Sequence, residues 1–424
     1  MNAPGPRSAQ RPHVHDPLLA RTGASLLARL PARRFHRLLN RIDEALATGS
    51  LEAHLPDGNI RILGGRGDGP ACIVHLKSWR ALVRLGLSGS VGWYRAWVKR
   101  EWESPDPVPL FALFMANART LGGAARASGL PRLLIRLWHG LNANSRRGAR
   151  RNISYHYDLG NAFYALWLDP GMTYSSALYR QADMTLEEAQ TAKIDAMLDR
   201  LALEPGHRLL EIGCGWGSLA LRAGERWEGL GYDGLTLSTE QKDWAERRLA
   251  ESGLAGRASI LLTDYRDHAG GPYDAIASVE MVEAIGQKQW PEYLAAIHRL
   301  LKPGGRAAIQ FISIDDAIFD NYAASADFIQ TYVFPGGCLI ARSRFRALAE
   351  AAGLEWREEM DMGADYARTL LEWRERFDAA IEDGRLPHDY DERFVRLWRF
   401  YLMYCEGGFR GGGIDVHQVT LVRR

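Results

Sequence analysis

The sequence predicts an α/β protein: a parallel, doubly wound sheet in the C-terminal two-thirds, preceded by a smaller α+β region. Three observations carry this. Short apolar runs alternate with helically spaced segments from Arg208 to Ile314, the pattern of successive strand–helix units. The first run, Arg208 to Ile212, leads into LLEIGCGWG (Leu209 to Gly217), where alternate glycines make a tight turn before helical spacing resumes at Leu219 to Ala223. Charge also divides the chain. Residues 1–152 hold 24 Lys and Arg against 9 Asp and Glu, hence +15, and the remainder carries −13, leaving a net +2.

At 424 residues the chain can bury more than one core. Its longest apolar runs fall far short of the roughly 20 residues that cross a bilayer, and the first 30 residues lack a continuous apolar stretch. The expectation is a cytoplasmic protein, peripherally associated with the inner face of the membrane. Cys72, Cys214, Cys338 and Cys405 are widely separated and show neither zinc spacing nor a disulfide framework, so they are expected to be reduced and mostly buried. The basic N-terminal third suits an anionic polymer or surface, with nucleic acid, anionic phospholipid and a merely solvated basic face all open.

Residues 1–20 are rich in Pro, Arg and Ala without periodicity and are expected to be disordered. From Leu26 to Leu46 apolar residues recur at helical spacing between arginines, a basic amphipathic stretch fit to lie on lipid or to cover a core. Alternating runs at Leu51 to Leu55, Ile60 to Leu63 and Ala71 to Leu76, separated by turn residues, predict a small antiparallel sheet. Trp79, Trp93, Tyr94, Trp97 and Trp102 then interleave with Arg80, Arg84, Arg95, Lys99 and Arg100. Tryptophan beside arginine suits a lipid interface or stacked bases, and ordinary core packing on an amphipathic helix is the plainest account. The polar, basic 142–152 reads as an interdomain linker.

Beyond the linker, helices are predicted at Asn161 to Trp167 and at Thr185 to Leu201, the second opened by a capping box of Thr185 and Glu188. Strands follow at Arg208 to Ile212, Leu230 to Leu237, Ala258 to Leu262, Tyr273 to Val279 and Arg306 to Ile314, with helices from Ser238 and over Pro291 to Leu301. An aromatic segment fills Asp315 to Ile340. Two helical segments lead to Ile414 to Val422, whose alternation predicts a final antiparallel edge strand.

Ligands of open α/β sheets bind beyond the carboxyl ends of the strands. The first strand end offers Glu211, Gly213, Gly215 and Gly217, which departs from the dinucleotide pattern and fits the acidic-x-Gly-x-Gly-x-Gly turn of S-adenosylmethionine (SAM) methyltransferases. The second offers Thr236, Leu237, Ser238 and Gln241 for a ribose or methionine tail, Ser238 and Gln241 also reading as a capping box. The third offers Asp264, Tyr265 and Arg266 for an adenine. The fourth offers Glu280 and Glu283, and a solvated helix start is the expectation for Glu280.

Together HYDLGN (His156 to Asn161), LDPGMTYSSA (Leu168 to Ala177), LEIGCGWG, LTLSTEQ (Leu235 to Gln241), the strand-four glutamate, FPGG (Phe334 to Gly337) and FRGGGIDVHQ (Phe409 to Gln418) resemble the cyclopropane-fatty-acyl-phospholipid synthase family, which includes the mycolic acid cyclopropane synthases. The resemblance implies a Rossmann-like class I SAM methyltransferase domain over 153–424. More weakly, 21–141 is similar to the N-terminal lipid-binding domain of the longer synthases. It further implies SAM as methyl donor, bound with help from Tyr174 and Ser175, an unsaturated phospholipid as substrate, an anionic membrane surface and a second copy of the chain as partners, and no nucleic acid.

The family methylates a cis double bond and removes a proton to close a cyclopropane ring, with a bicarbonate ion as base. Of the positions implied to hold that ion, Glu283, Tyr366 and Ile312 match the family, whereas Ser176 replaces a cysteine and Gln310 a histidine; Ala284 replaces a further histidine. Serine and glutamine still donate hydrogen bonds, but glutamine does not titrate near neutrality. Because Glu283 and Tyr366 remain, ring closure is the expected outcome, with proton loss from a neighbouring carbon to a methylene- or methyl-branched chain or furan precursor as the alternative. A lipid-binding protein without catalysis and a nucleic-acid or small-molecule methyltransferase are the readings from other classes.

Overall fold

The computed structural model describes residues 32–122, 159–324 and 326–424. The tail expected at 1–20, the linker at 142–152 and His156 to Asp158 of the first motif lie outside the described residues.

Helix α1 (Ala32–Ala45) buries Phe35, Leu39 and Ile42, the 3.6-residue stripe read from the sequence. It packs beside a four-stranded sheet of β1 (Ser50–His54), β2 (Ile60–Gly64), β3 (Ala71–Leu76) and β4 (Trp102–Glu103), in the order β2-β1-β3-β4. The sheet is mixed, not antiparallel as expected: β2 pairs antiparallel with β1, whereas β3 runs parallel to it. The loop between Gly64 and Ala71 carries the chain from one side of β1 to the other at its Ser50 end, so β3 starts beside Ser50 and must run the same way. Helix α2 (Arg80–Val98), interrupted at Gly89, precedes β4, and α3 (Val108–Ala116) and α4 (Ala118–Leu121) follow it.

In the C-terminal region α5 (Asn161–Tyr164) and α6 (Leu186–Asp199) lead to β5 (Arg208–Ile212), and the predicted capping box of Thr185 and Glu188 is present. Then come α7 (Ser218–Arg226), β6 (Gly231–Thr236), α8 (Thr239–Glu251), β7 (Ala258–Leu262), β8 (Tyr273–Val279), α9 (Trp290–Leu300) and β9 (Leu301–Ile314). The aromatic segment forms α10 (Asp316–Ala323), α11 (Phe328–Tyr332) and β10 (Ile340–Ala341). It is followed by α12 (Arg342–Ala351), β11 (Leu354–Asp361), α13 (Gly363–Glu382), α14 (Glu392–Arg410) and β12 (Ile414–Arg423).

The main sheet runs β7-β6-β5-β8-β9-β12-β11, with β10 beside β9. Strand order reverses at β5, which pairs with β6 on one side and β8 on the other, and this switch point opens a crevice beyond the strand ends. Strand β12 is antiparallel to β9, as predicted, but it is interior: β11 lies outside it as the edge. Only Leu354 and Trp356 of β11 are buried, so its charged remainder hid the strand from apolar patterning.

One continuous apolar core joins the N-terminal third to the C-terminal helices. Trp93 stacks on Trp102 at 4.4 Å, and Phe111 meets Phe400 of α14 at 5.2 Å. The Arg84–Glu101 pair (2.7 Å) is largely buried, and Arg95 donates to the Tyr332 hydroxyl at 3.0 Å. Trp93, Trp102 and Arg95 are thus packed inside, the plain core reading of this segment. Where α14 crosses α3, a Cβ on Gly407 would fall on the Phe111 side chain and 2.8 Å from the Val108 carbonyl oxygen. Alanine is the better helix former by about 1 kcal/mol, but overpacking costs about 1–3 kcal/mol. Gly407→Ala is therefore expected to lower the thermal midpoint by a few degrees, and a raised midpoint would contradict this packing.

Candidate active site

The crevice is a cavity of about 630 Å³ that starts at the glycine turn. Gly213 and Gly215 line it with left-handed backbone, and a Cβ on Gly213 would come within 2.8 Å of Met281 Cγ, so only glycine lets the turn and the β8 loop close together. Gly217 lies outside the lining; it caps α7, and a Cβ there would press on Ala245 of α8.

Tyr174, Ser175, Glu211, Thr236, Leu237, Gln241, Asp264, Tyr265 and Arg266 also line the cavity, so the structure gathers eleven of the thirteen expected cofactor residues at one place. Ser238 is the other exception: its hydroxyl caps α8 by accepting from Gln241 N–H. The expected box is half formed, because the Gln241 side chain instead accepts from the Thr236 hydroxyl at 2.9 Å. Asp264 is gripped by Arg266 through two N–H donors at 2.9 and 2.6 Å, and the ring of Tyr265 packs edge-on against Tyr293.

The loop of the LDPGMTYSSA motif is pinned by the buried Asp169, which accepts from Gly171 N–H at 2.7 Å and Thr173 N–H at 2.8 Å. Buried Lys193 donates to Ser175 Oγ at 2.6 Å. Burial pushes Lys193 down to about 8 against the attraction of Glu280, Asp169 and Glu211. Burial likewise lifts Glu211 to about 7, opposed by the Tyr232 hydroxyl and Lys193. Glycine backbone, the buried acid Glu211, the Thr236 hydroxyl of β6, the Gln241 amide of α8 and the Asp264 carboxylate after β7 form a donor and acceptor set that fits SAM.

Further along the cavity stand Glu280, Glu283, Ile312 and Tyr366. The solvated helix start expected of Glu280 is overturned. Its Oε1 accepts from Ser176 N–H at 2.8 Å and Gln310 Nε2 at 2.7 Å, and its Oε2 from the Tyr366 hydroxyl at 2.8 Å. The residue holds φ of 48°, a left-handed conformation that costs a side chain about 1–2 kcal/mol. Strain of this kind persists where the surroundings fix it, and sites of chemistry are where it collects. Spacing alone hid Glu280, because two acids three apart after a strand also describe a helix start; the signal was the pair of neutral residues, Ser176 and Gln310, at positions where the family has a cysteine and a histidine.

Ser176 and Gln310 are fully buried and lie outside the lining, behind Glu280. Glu283 accepts from Ile312 N–H through Oε1, and its Oε2 has no partner among the described residues. Burial raises both acids, and Glu280's charge helps lift Glu283 to about 8. With three donors on Glu280 and one on Glu283, the geometry favours the charge on Glu280 and the proton on Glu283.

Beyond the carboxylates the cavity turns apolar and enters the N-terminal third, between Leu85, Trp93, Phe111, Phe114 and Leu121. No helix among the described residues is long and apolar enough to cross a membrane.

The raised value of Glu283 carries a stability consequence. The folded protein keeps a proton there that the unfolded chain sheds above about 4.5, so stability falls as pH rises from about 4.5 to about 8. The charges facing Glu283 are Glu280 and, once ionised, Tyr293. Glu283→Gln, neutral at every pH, is expected to melt several degrees above the parent at pH 8.5, the gap closing toward pH 5. A gap that widens on acidification would contradict the assignment.

The family described as mycolic acid cyclopropane synthetase matches residues 144–419. The tuberculostearic acid methyltransferase UfaA1 of Mycobacterium tuberculosis is 34% identical over 99% of this chain and 93% of its own length. The cyclopropane-fatty-acyl-phospholipid synthase of Escherichia coli K12 is 38% identical over 63% of this chain and 66% of its own. Among solved structures, the mycolic acid cyclopropane synthase CmaA1 complexed with SAH and CTAB superimposes with a TM-score of 0.60 at 32% identity, covering 65% of this chain and 98% of that one. The chain therefore belongs to the mycolic acid cyclopropane synthetase family and is a SAM-dependent methyltransferase acting on lipid.

Proposed function

We propose that the chain transfers a one-carbon unit from SAM to the cis double bond of an unsaturated phospholipid acyl chain and closes a cyclopropane ring. The observation that carries this is the continuity of the cavity. Glycine turn, paired carboxylates and apolar channel are three parts of one space. SAM, when bound, would supply an electrophilic sulfonium methyl for attack by the alkene's π electrons, which leaves a carbocation on the acyl chain.

The residues fit what such a cation demands. An alkene is a weak nucleophile, so it must be held against the methyl, and the apolar channel through Leu85, Phe111 and Phe114 supports that positioning for a long acyl chain. Water must be kept from the cation, which the apolar lining of the channel favours. The aromatic side chains of Tyr174, Phe334 and Tyr401 line the same space, and aromatic faces turned to a cation stabilise it. We assign Glu283, Tyr366, Ser176, Gln310 and Ile312, together with Glu280, to the proton-removing end, and residues 21–141 to holding the lipid. The +15 charge of residues 1–152 supports docking on an anionic membrane surface.

A second reading is a methylene branch or a methyl-branched alkene, reached when a hydride shift precedes proton loss or when the proton leaves from a neighbouring carbon. The full-length relative favours it, because it is named for methyl transfer and not for ring closure. One assay separates the two. Incubation with methyl-labelled SAM and vesicles of cis-unsaturated phospholipid is expected to place label in the acyl chains, faster on anionic than on neutral vesicles and more slowly as salt rises. Ring and methylene have equal mass, but ozonolysis consumes only the alkene. Labelled product that survives it supports the ring, its disappearance supports the methylene, and no label in any acyl chain contradicts the function.

A further inference from the structure

The resemblance implies a bicarbonate ion as base, and the residues present do not fit one. Three donors of the implied cradle, Ser176 N–H, Gln310 Nε2 and the Tyr366 hydroxyl, are spent on the carboxylate of Glu280. The fourth, Ile312 N–H, is spent on Glu283. What remains is also engaged: Ser176 Oγ donates to the Ala177 carbonyl at 2.9 Å, and Gln310 Oε1 accepts from Gln418 at 3.0 Å. No donor of the cradle is left for a separate anion, and the space that Ser176 and Gln310 would face is filled by a side chain of this protein.

We propose that the carboxylate of Glu280 stands in the place of the bound anion and is itself the base, so that the enzyme works without bicarbonate. This rests on the functional reading above. The chemistry is equivalent: a bicarbonate oxygen and a carboxylate oxygen are both anionic acceptors held by the same N–H and O–H groups. A tethered carboxylate also needs no histidine and no cysteine to capture it from solution, in keeping with Gln310 and Ser176. The left-handed backbone of Glu280 is the cost of aiming it inward. As the ring closes, a C–H bond of the transferred carbon breaks, its electron pair forms the bond to the cationic carbon, and the proton passes to Glu280. The neutral acid returns its proton to water once the products leave.

The test compares the native chain with Glu280→Gly and Glu280→Gln. Glycine suits φ of 48° and leaves the cradle open. Thermal melting and SAM binding first establish that both variants fold. Titration with ¹³C-bicarbonate, followed by NMR in the presence of S-adenosylhomocysteine, should show no saturable binding to the native chain and saturable binding to Glu280→Gly. Native turnover should be unchanged in carbonate-free buffer, both variants should lose about 100-fold or more, and bicarbonate or formate should restore Glu280→Gly at least about tenfold. Bicarbonate binding by the native chain, no gain of binding in Glu280→Gly, a carbonate-dependent native rate, or full turnover by Glu280→Gln would each overturn the proposal. If the native chain transfers no methyl at all, the functional reading fails, while the binding arm still decides what occupies the cradle.

Discussion

The grip on the Glu280 carboxylate is the constraint on which the site depends. Its three donors come from three separate parts of the fold: Ser176 in the loop before α6, Gln310 in the middle of β9, and Tyr366 on α13. A buried carboxylate without such donors would cost several kcal/mol, so the charge and the three elements hold one another in place. Lys193 adds a buried positive charge on the same side, bound to Ser175 next to Ser176 in the chain. The result is a fixed negative charge at the rim of an apolar channel, where a developing cation would gain most from it.

That channel explains why the N-terminal third is packed as it is. Residues whose pattern is compatible with a membrane-facing surface, Trp93 and Trp102 above all, instead stack inside a core continuous with α13 and α14. The walls lined by Leu85, Phe111 and Phe114 belong to the N-terminal third, whereas Glu280 and Glu283 follow strand β8 of the main sheet. The apolar channel and the paired carboxylates are thus contributed by two parts of the chain that share one core.

Much of this was legible in the sequence, for identifiable reasons. The central parallel strands β5, β8 and β9 are buried over most of both faces and read as apolar runs, and the glycine turn is required by close approach of backbone to Met281. Strand β11 was not legible, because six of its eight residues face outward or are only partly covered. The parallel pairing of β1 and β3 was hidden because turn residues fix where a chain reverses and not which side of a strand it returns to. Glu280 was read as solvated because local spacing carries no information about Gln310 or Tyr366, which reach it from 30 and 86 residues away. The side chain of Gln310 donates as its residue type allows, but to this chain's own acid, whereas the Ser176 hydroxyl turns to the Ala177 carbonyl and only its backbone N–H reaches Glu280.

The central claim is that one of two adjacent acids is charged and the other neutral, with the charge on Glu280. Infrared difference spectroscopy at pH 7 on protein carrying ¹³C-labelled glutamate measures this most directly. The account predicts that Glu280→Gln removes an ionised-carboxylate band and Glu283→Gln removes a protonated-carboxyl band. The opposite assignment, or two ionised bands, would contradict it.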